Sequence, residues 1–174
     1  SRAQMATLPI LKPENFYDIA IEVAIIRPGP ITGDLMHPYL NRRLKLEPVE
    51  YIHPDCKDIL KRTLGVPLFQ EQMMSIAKVM AGFSSAELDD LRRAISFNRS
   101  HIKMQRATTK LRERMTAKGI DIEVQERIIQ ATGNFSLYGF PESHAISFAY
   151  LAYASCWLKV NHAAEFYTGL INNQ

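Results

Sequence analysis

The chain has 174 residues, of which 47% are hydrophobic, and a formal net charge of +3. This length suits one domain with a real core, and sparse Gly and Pro exclude a low-complexity chain. The longest apolar run, Ala145–Leu158, is too short to span a membrane and too long for most strands, so we expect a buried helix. Cys56 and Cys156 lack a metal-ligand spacing, so we expect free thiols and no metal site.

Positive charge is concentrated in one segment. Residues 89–118 hold nine basic and three acidic residues, so they carry +6 while the rest of the chain carries −3. Such a band indicates a polyanionic partner. The alternative is a helix face that is simply solvated.

The first half of the chain predicts three helices. Asn15 can cap a helix over about 16–26, which the Arg27-Pro28-Gly29-Pro30 turn ends. We expect 31–52 to be irregular. Pro54 suits a helix start, with 55–64 continuing to Gly65. The third helix covers about 68–81 and ends at Gly82.

The second half also reads as helical. Ser84 and Glu87 form a capping box that opens a helix over 85–96. Further helices are expected over about 100–118, 122–132, 143–159 and 163–171, with Gly133 as a stop and 134–142 as a loop. No stretch alternates with period two for long enough to form a sheet, so the predicted fold is all-α, or nearly so.

Core positions follow from residue type. We expect Met73, Met74 and Met80 in the core. The aromatic side chains of the C-terminal region are expected mainly in the core as well: Phe135, Tyr138, Phe140 and Phe148. A loop position would also let Tyr138 or Phe140 stack on a base.

The tandem Arg92-Arg93 is the strongest candidate site. Adjacent residues diverge by about 100° on a helix, so at most one arginine can face a core. Planar guanidinium groups match phosphate oxygens and keep their charge. The alternative is that both arginines are exposed and pair with Asp89 on the same helix.

Two other places could bind phosphate. Arg27 stands at a corner made rigid by two prolines. Ser143 and His144 begin a predicted helix whose first-turn amides are electropositive. The alternatives are a plain turn at Arg27, and an N-cap with an ordinary loop histidine at Ser143 and His144.

Four ordered motifs resemble one family. They are RPGP at 27–30, FQEQ at 69–72, LRRA at 91–94 and GFPESHA at 139–145. Together they resemble the fingers region of bacterial C-family DNA polymerases. Pro141-Glu142 stands where replicative alpha subunits have Asn-Lys, and Ile95-Ser96 begins the stretch that replaces their Gly-Lys-Lys. The chain is therefore more similar to the error-prone branch.

This resemblance implies roles for individual residues. Arg92, Arg93 and Arg27 would contact the triphosphate of an incoming nucleotide. DNA or cleft contacts would come from five residues: Ser143, His144, Arg99, Lys103 and Arg106. Gln70, Glu71 and Gln72 would support the LRRA helix without a catalytic role.

The resemblance also implies a parent enzyme. The whole chain, 1–174, would be the fingers segment of a larger cytoplasmic bacterial DNA-directed DNA polymerase that acts in damage tolerance. Aspartates of a palm domain, upstream of this chain and absent from it, would hold two Mg²⁺ ions, so this segment alone would be inactive. Its partners would be primer-template DNA and deoxynucleoside triphosphates, with damage-response proteins and the sliding clamp contacting other regions and no membrane involved.

Two alternatives remain open at the level of sequence. The chain could be the fingers of a replicative polymerase III alpha subunit. It could also be a non-enzymatic helical module that binds nucleic acid or protein. Nucleotide binding that depends on Arg92 and Arg93 would separate a polymerase from such a module.

Overall fold

The fold is all-α, as the sequence predicts. The computed structural model describes residues 2–26, 38–96, 101–138 and 140–173, without the side chains of residues 101 and 136–138, and these ranges contain no strand. Arg27 and Arg99 lie outside the described residues. The α-helices are α1 Arg2–Leu11, α2 Phe16–Ile25, α3 Pro38–Arg43, α4 Lys57–Leu60, α5 Gln70–Ala81, α6 Ser85–Ser96, α7 His101–Ala117, α8 Ile122–Tyr138, α9 Glu142–Asn161 and α10 Ala163–Asn172.

Three predicted helix boundaries are confirmed by their caps. The Asn15 side chain accepts a hydrogen bond from the Asp18 amide at the start of α2. Gly82 ends α5 with a left-handed φ of 65°. At the start of α6, the Ser84 amide donates to the Glu87 carboxylate at 2.7 Å and the Glu87 amide donates to Ser84 Oγ. These caps satisfy backbone groups that a helix end leaves unpaired.

Other boundaries were predicted wrongly. Helix α1 was not predicted, and α3 lies in the segment expected to be irregular. Helix α8 continues through Gly133 because the next turn buries Phe135 in the core, which outweighs about 1 kcal/mol of glycine propensity. Helix α9 begins at Glu142 after the N-cap Pro141. The helix expected over 55–64 is divided into a 3₁₀ turn, α4 and a second 3₁₀ turn.

The described residues form two hydrophobic cores. In the first core, α5 packs against α6 and α7, which both pack against α8, and the buried side chains include Met73, Met80, Leu91, Leu111, Ile128 and Phe135. In the second core, α2 packs against α1 and α9, α3 packs against α1, and the buried side chains include Ile21, Ile25, Tyr39, Leu40 and Ala149. Leu68 and Phe69, just before α5, belong to the second core, so the start of α5 connects the two.

Helix α9 was expected to be buried, but most of its large apolar side chains are exposed. It approaches α2 through Ala145 and Ala149, its buried residues. Other apolar residues of α9 are exposed, namely Phe148, Tyr150, Leu151, Tyr153, Trp157, Leu158 and Val160. The prediction of Phe148 as a core residue is therefore wrong. The core predictions for Phe135, Met73 and Met80 are confirmed, because all three are buried. Apolar residues lie on all sides of α9, and the contact with α2 covers only the face that carries Ala145 and Ala149. None of the described helices is long and apolar enough to cross a membrane.

An ion pair fastens the N-terminal helices together. Arg43 at the end of α3 donates two hydrogen bonds to the Asp18 carboxylate, at 3.1 and 2.9 Å, and Asp18 is 4% exposed. The same guanidinium donates to the backbone carbonyls of Leu11 and Lys12 at the end of α1. One side chain thus links α1, α2 and α3.

Asp18→Asn is expected to lower the free energy of unfolding by about 3 kcal/mol, because it leaves Arg43 without its buried partner. The measurement is urea denaturation at neutral pH. Asp58→Asn is the control: it breaks an exposed pair with Lys61 and is expected to cost less than about 1 kcal/mol. Equal effects of the two substitutions would contradict a central role for Asp18.

Candidate functional site

Helix α6 presents two neighbouring arginines to solvent. Leu91, Ala94 and Ile95 face the core, which leaves the Arg92 and Arg93 side chains 55% and 62% exposed. Both guanidinium groups contact the Asp89 carboxylate, at 2.8 and 2.6 Å. The hydrogen bond from Arg92 and the charge of Arg93 lower the pKa of Asp89. The structure thus contains the pairing that the sequence offered as the alternative to phosphate binding.

This pairing does not exclude an anionic ligand. Exposed ion pairs contribute little net stability, because water solvates the separated charges nearly as well. A polyphosphate brings more charge than one carboxylate and can accept several guanidinium hydrogen bonds. Arg92 and Arg93 can therefore exchange their shared, exposed carboxylate partner for a phosphate ligand.

Gln70 connects the arginine helix to the start of α9. Its side-chain amide donates to the Arg92 carbonyl at 3.3 Å and to Ser96 Oγ at 2.8 Å. Its backbone amide donates to the Phe140 carbonyl at 3.0 Å. One residue at the beginning of α5 therefore contacts two of the segments that the sequence selected.

Glu71 and Gln72 contact elements other than α6. The Glu71 carboxylate accepts a hydrogen bond from the Glu142 amide at 2.9 Å, at the start of α9. Gln72 is buried; its carbonyl oxygen accepts from the amides of Leu68 and Phe69, and its amide group donates to Thr63 Oγ1. Gln72 thus fixes the backbone that leads into α5.

Ser143 and His144 line an open cavity of about 600 Å³. The His144 ring lies between Phe140 and Phe148, with centroid distances of 5.2 and 4.6 Å. Ser143 is not the N-cap, because α9 begins one residue earlier. Of the first-turn amides expected to be unpaired, that of Glu142 is occupied by the Glu71 carboxylate. An acidic side chain at this helix start offsets part of its positive potential.

Part of the charge of the basic band is offset within the fold by acids from outside the segment. Glu87 pairs with Lys110 and Arg114, and Glu126 pairs with Arg112. Both acids lie outside the segment whose charge was counted, so the sequence count missed them. The hydrogen bond from Lys110 is the largest cause that lowers the pKa of Glu87, to about 2. Lys103 and Arg106 are exposed on α7, and Arg106 has no ion-pair partner in the described part of the chain.

The hydrogen bond between Tyr17 and the Glu142 carboxylate was not predicted from the sequence. Tyr17 on α2 donates a hydrogen bond to the Glu142 carboxylate at 2.5 Å, and the Arg62 guanidinium lies 5.2 Å from the Tyr17 ring centroid. Burial and the bond to Glu142 raise the pKa of Tyr17. The two residues are 125 positions apart, and no sequence signal links them.

The described ranges contain no group of three or more His, Cys, Asp or Glu residues that could hold a metal ion. Asp89 and Asp90 are adjacent carboxylates on α6, but Asp89 is engaged by two arginines. The residues of this site therefore do not fit Mg²⁺.

Comparisons with known proteins agree on one family. Residues 1–119 match the family model described as the bacterial DNA polymerase III alpha subunit finger domain. The chain is 50% identical over 174 residues to an error-prone DNA polymerase of Vibrio campbellii and 53% identical over 173 residues to that of Pseudomonas syringae pv. tomato. It is also 53% identical to error-prone DNA polymerase 1 of Agrobacterium fabrum. The matches cover 99 to 100% of this chain but only 16 to 17% of each relative.

Gln72→Ala is expected to lower the free energy of unfolding by about 3 kcal/mol, because it leaves two buried amides without an acceptor. Gln70→Ala, in a less buried position, is expected to cost less than about 1 kcal/mol. Urea denaturation measures both. A larger loss for Gln70→Ala would show that the fold depends on the contact between α5 and α6 instead.

Glu87 is expected to make stability depend on pH in the acid range. Its pKa is about 2 in the folded chain, against an ordinary 4.5, so its contribution is present above about pH 4.5 and is lost as the pH falls towards 2. The unfolding free energies of the wild type and Glu87→Gln should therefore differ at neutral pH and converge on acidification. Glu113→Gln, on α7 outside these pairs, is the control, and a difference that did not vary with pH would contradict the assignment.

Proposed function

The chain belongs to the family of finger domains of bacterial DNA polymerase III alpha subunits, and from this membership we propose that it is the fingers segment of an error-prone DNA polymerase. The parent enzyme adds deoxynucleotides to a primer 3′ end in damage-tolerant synthesis. The relatives that support this proposal are named error-prone DNA polymerase, and the chain spans about a sixth of their length.

The exposed arginine pair on α6 is the observation that carries the proposed role. Transfer of a nucleotide spreads negative charge over phosphate oxygens, and fixed cations stabilise that charge. Arg92 and Arg93 offer two such cations on one rigid helix whose backbone is hydrogen-bonded to Gln70. We infer that the triphosphate of the incoming nucleotide displaces Asp89 and binds both guanidinium groups.

Other parts of the site have secondary roles in the proposal. His144 and Ser143, with exposed Lys103 and Arg106 on α7, contact template or primer DNA. Arg99 joins these DNA contacts, and Arg27 joins Arg92 and Arg93 at the triphosphate; both are predictions from the sequence. Residues outside this chain supply the carboxylates for Mg²⁺, so the segment alone has no polymerase activity. The parent acts in the bacterial cytoplasm, and accessory proteins and the sliding clamp contact its other regions.

Arg92→Ala combined with Arg93→Ala, made in the full-length polymerase, is expected to lower kcat/KM for nucleotide by about 100-fold or more, because two charge-assisted contacts to phosphate are lost. The measurement is single-nucleotide primer extension over a range of nucleotide concentrations. Affinity for primer-template DNA is expected to stay within about twofold.

The matched control removes two exposed cations elsewhere, Lys57→Ala combined with Lys61→Ala, and is expected to leave extension unchanged. Asp89→Asn provides a second arm: it removes the competing carboxylate, so the KM for nucleotide is expected to fall. Unchanged kinetics of the arginine double variant would contradict the proposed contact with the triphosphate.

A further inference from the structure

Two adjoining cavities lie at the turn between α1 and α2. One, of about 510 Å³, is lined by the basic residues Lys12, Arg42, Arg43 and Lys45. The other, of about 550 Å³, is lined by the aromatic residues Phe16, Tyr150 and Tyr153. Glu14 lines both cavities and is the one acidic residue among their lining residues. We call the two cavities together the α1–α2 groove.

The basic side of the groove keeps uncompensated charge. Arg43 is neutralised by Asp18, whereas Arg42 donates from Nη1 to the carbonyls of Glu50 and Leu64, which carry no net charge. Arg42 Nε is buried and has no hydrogen-bond partner among the residues that the structure describes. Lys12 and Lys45 are exposed. Within the described part of the chain, three cations that line the groove have no ion-pair partner, against the single carboxylate of Glu14.

Backbone geometry fixes the positions from which these cations extend. Lys12 and Lys45 adopt left-handed φ values of 46° and 59°, at positions where glycine or asparagine is usual. Arg42 fits because Gly65, with φ of 80°, has no side chain: a Cβ there would lie 2.6 Å from Arg42 Nη1. Arg42 is held by two hydrogen bonds before a ligand arrives, so it loses less entropy on binding than a free side chain would.

The aromatic side of the groove is open to solvent. Tyr150 and Tyr153 on α9 are 65% and 54% exposed, and Phe16 at the start of α2 is 37% exposed. Phe16 and Tyr153 meet edge to face, with centroids 6.2 Å apart. Exposed aromatic rings next to a basic groove form the combination that binds single strands, because bases stack on rings while cations contact phosphates.

We propose that the α1–α2 groove binds single-stranded DNA, with phosphates at the basic cavity and bases stacked on the aromatic cavity. A duplex fits this arrangement poorly, since its bases already stack on one another. The inference rests on the proposed function and extends it: the groove shares no residue with the arginine site on α6, so it would hold the unpaired template strand and leave the nucleotide to that site.

The test uses the full-length polymerase and a fluorescein-labelled oligothymidine, with titrations at several salt concentrations. Lys12→Gln combined with Lys45→Gln is expected to reduce the slope of log affinity against log salt by about 1.4, because each phosphate contact on a single strand contributes about 0.7. Tyr150→Ala combined with Tyr153→Ala is expected to weaken binding about tenfold.

Matched controls separate stacking and charge from general effects. Tyr150→Phe combined with Tyr153→Phe keeps both rings and is expected to restore affinity. Lys57→Gln combined with Lys61→Gln removes the same charge elsewhere, and Tyr167→Ala removes a half-exposed ring from α10; neither is expected to change binding. A blunt duplex of the same length tests strandedness, and it should not respond to the tyrosine substitutions.

Two results would overturn the proposal. In the first, the lysine and tyrosine variants keep the wild-type affinity for oligothymidine and the wild-type salt slope. The lysines would then only end helices and would not contact DNA. The second is an equal loss for duplex and single strand. Primer extension at saturating DNA distinguishes failure here from failure of the proposed function, because it depends on Arg92 and Arg93 whatever the groove binds.

Discussion

The rest of the structure depends on how the chain enters α5. Phe69 is buried in the core of α2 and α9, and a few residues later Met73 is buried in the core of α6, α7 and α8. Gln72 makes this crossing possible, since its side chain satisfies the two amides that the buried backbone would otherwise leave unpaired. Gln70, two residues earlier, connects α6 to the start of α9. The sites on both helices are therefore held by one turn of the chain.

Charge pairing decides which cations remain available. The acids Glu87 and Glu126 pair with three basic residues on α7 and offset two of their charges, so that helix is less basic than its sequence indicates. Asp89 holds Arg92 and Arg93 at the surface, where a stronger anion can replace it. In the α1–α2 groove, by contrast, Arg42 is held by neutral carbonyls and keeps its full charge. Local partners therefore indicate a phosphate site better than the net charge of a segment does.

Local signals in the sequence were sufficient for the helices and for the family, but long-range contacts were not predictable. The capping box at Ser84 and the glycine stop at Gly82 were predicted because each depends on neighbouring residues. The predicted helix end at Gly133 was wrong, because burial of Phe135 decides whether α8 continues. The exposure of α9 was missed because an apolar run shows hydrophobicity but not whether a neighbour covers it. The contacts of Gln70 and Tyr17 join positions that are far apart in the sequence, so only the folded structure reveals them.

The most direct test of this account is the equilibrium affinity of the incoming nucleotide for a complex with terminated primer-template DNA, with Gln70→Ala compared with the wild type in the full-length polymerase. If Gln70 positions the arginine helix, the Kd of the nucleotide is expected to rise about tenfold, while DNA affinity stays unchanged and the free energy of unfolding falls by less than about 1 kcal/mol. Ser75→Ala, an exposed position on the same helix, should have no effect. An unchanged nucleotide Kd for Gln70→Ala would contradict the claim that the start of α5 positions the site.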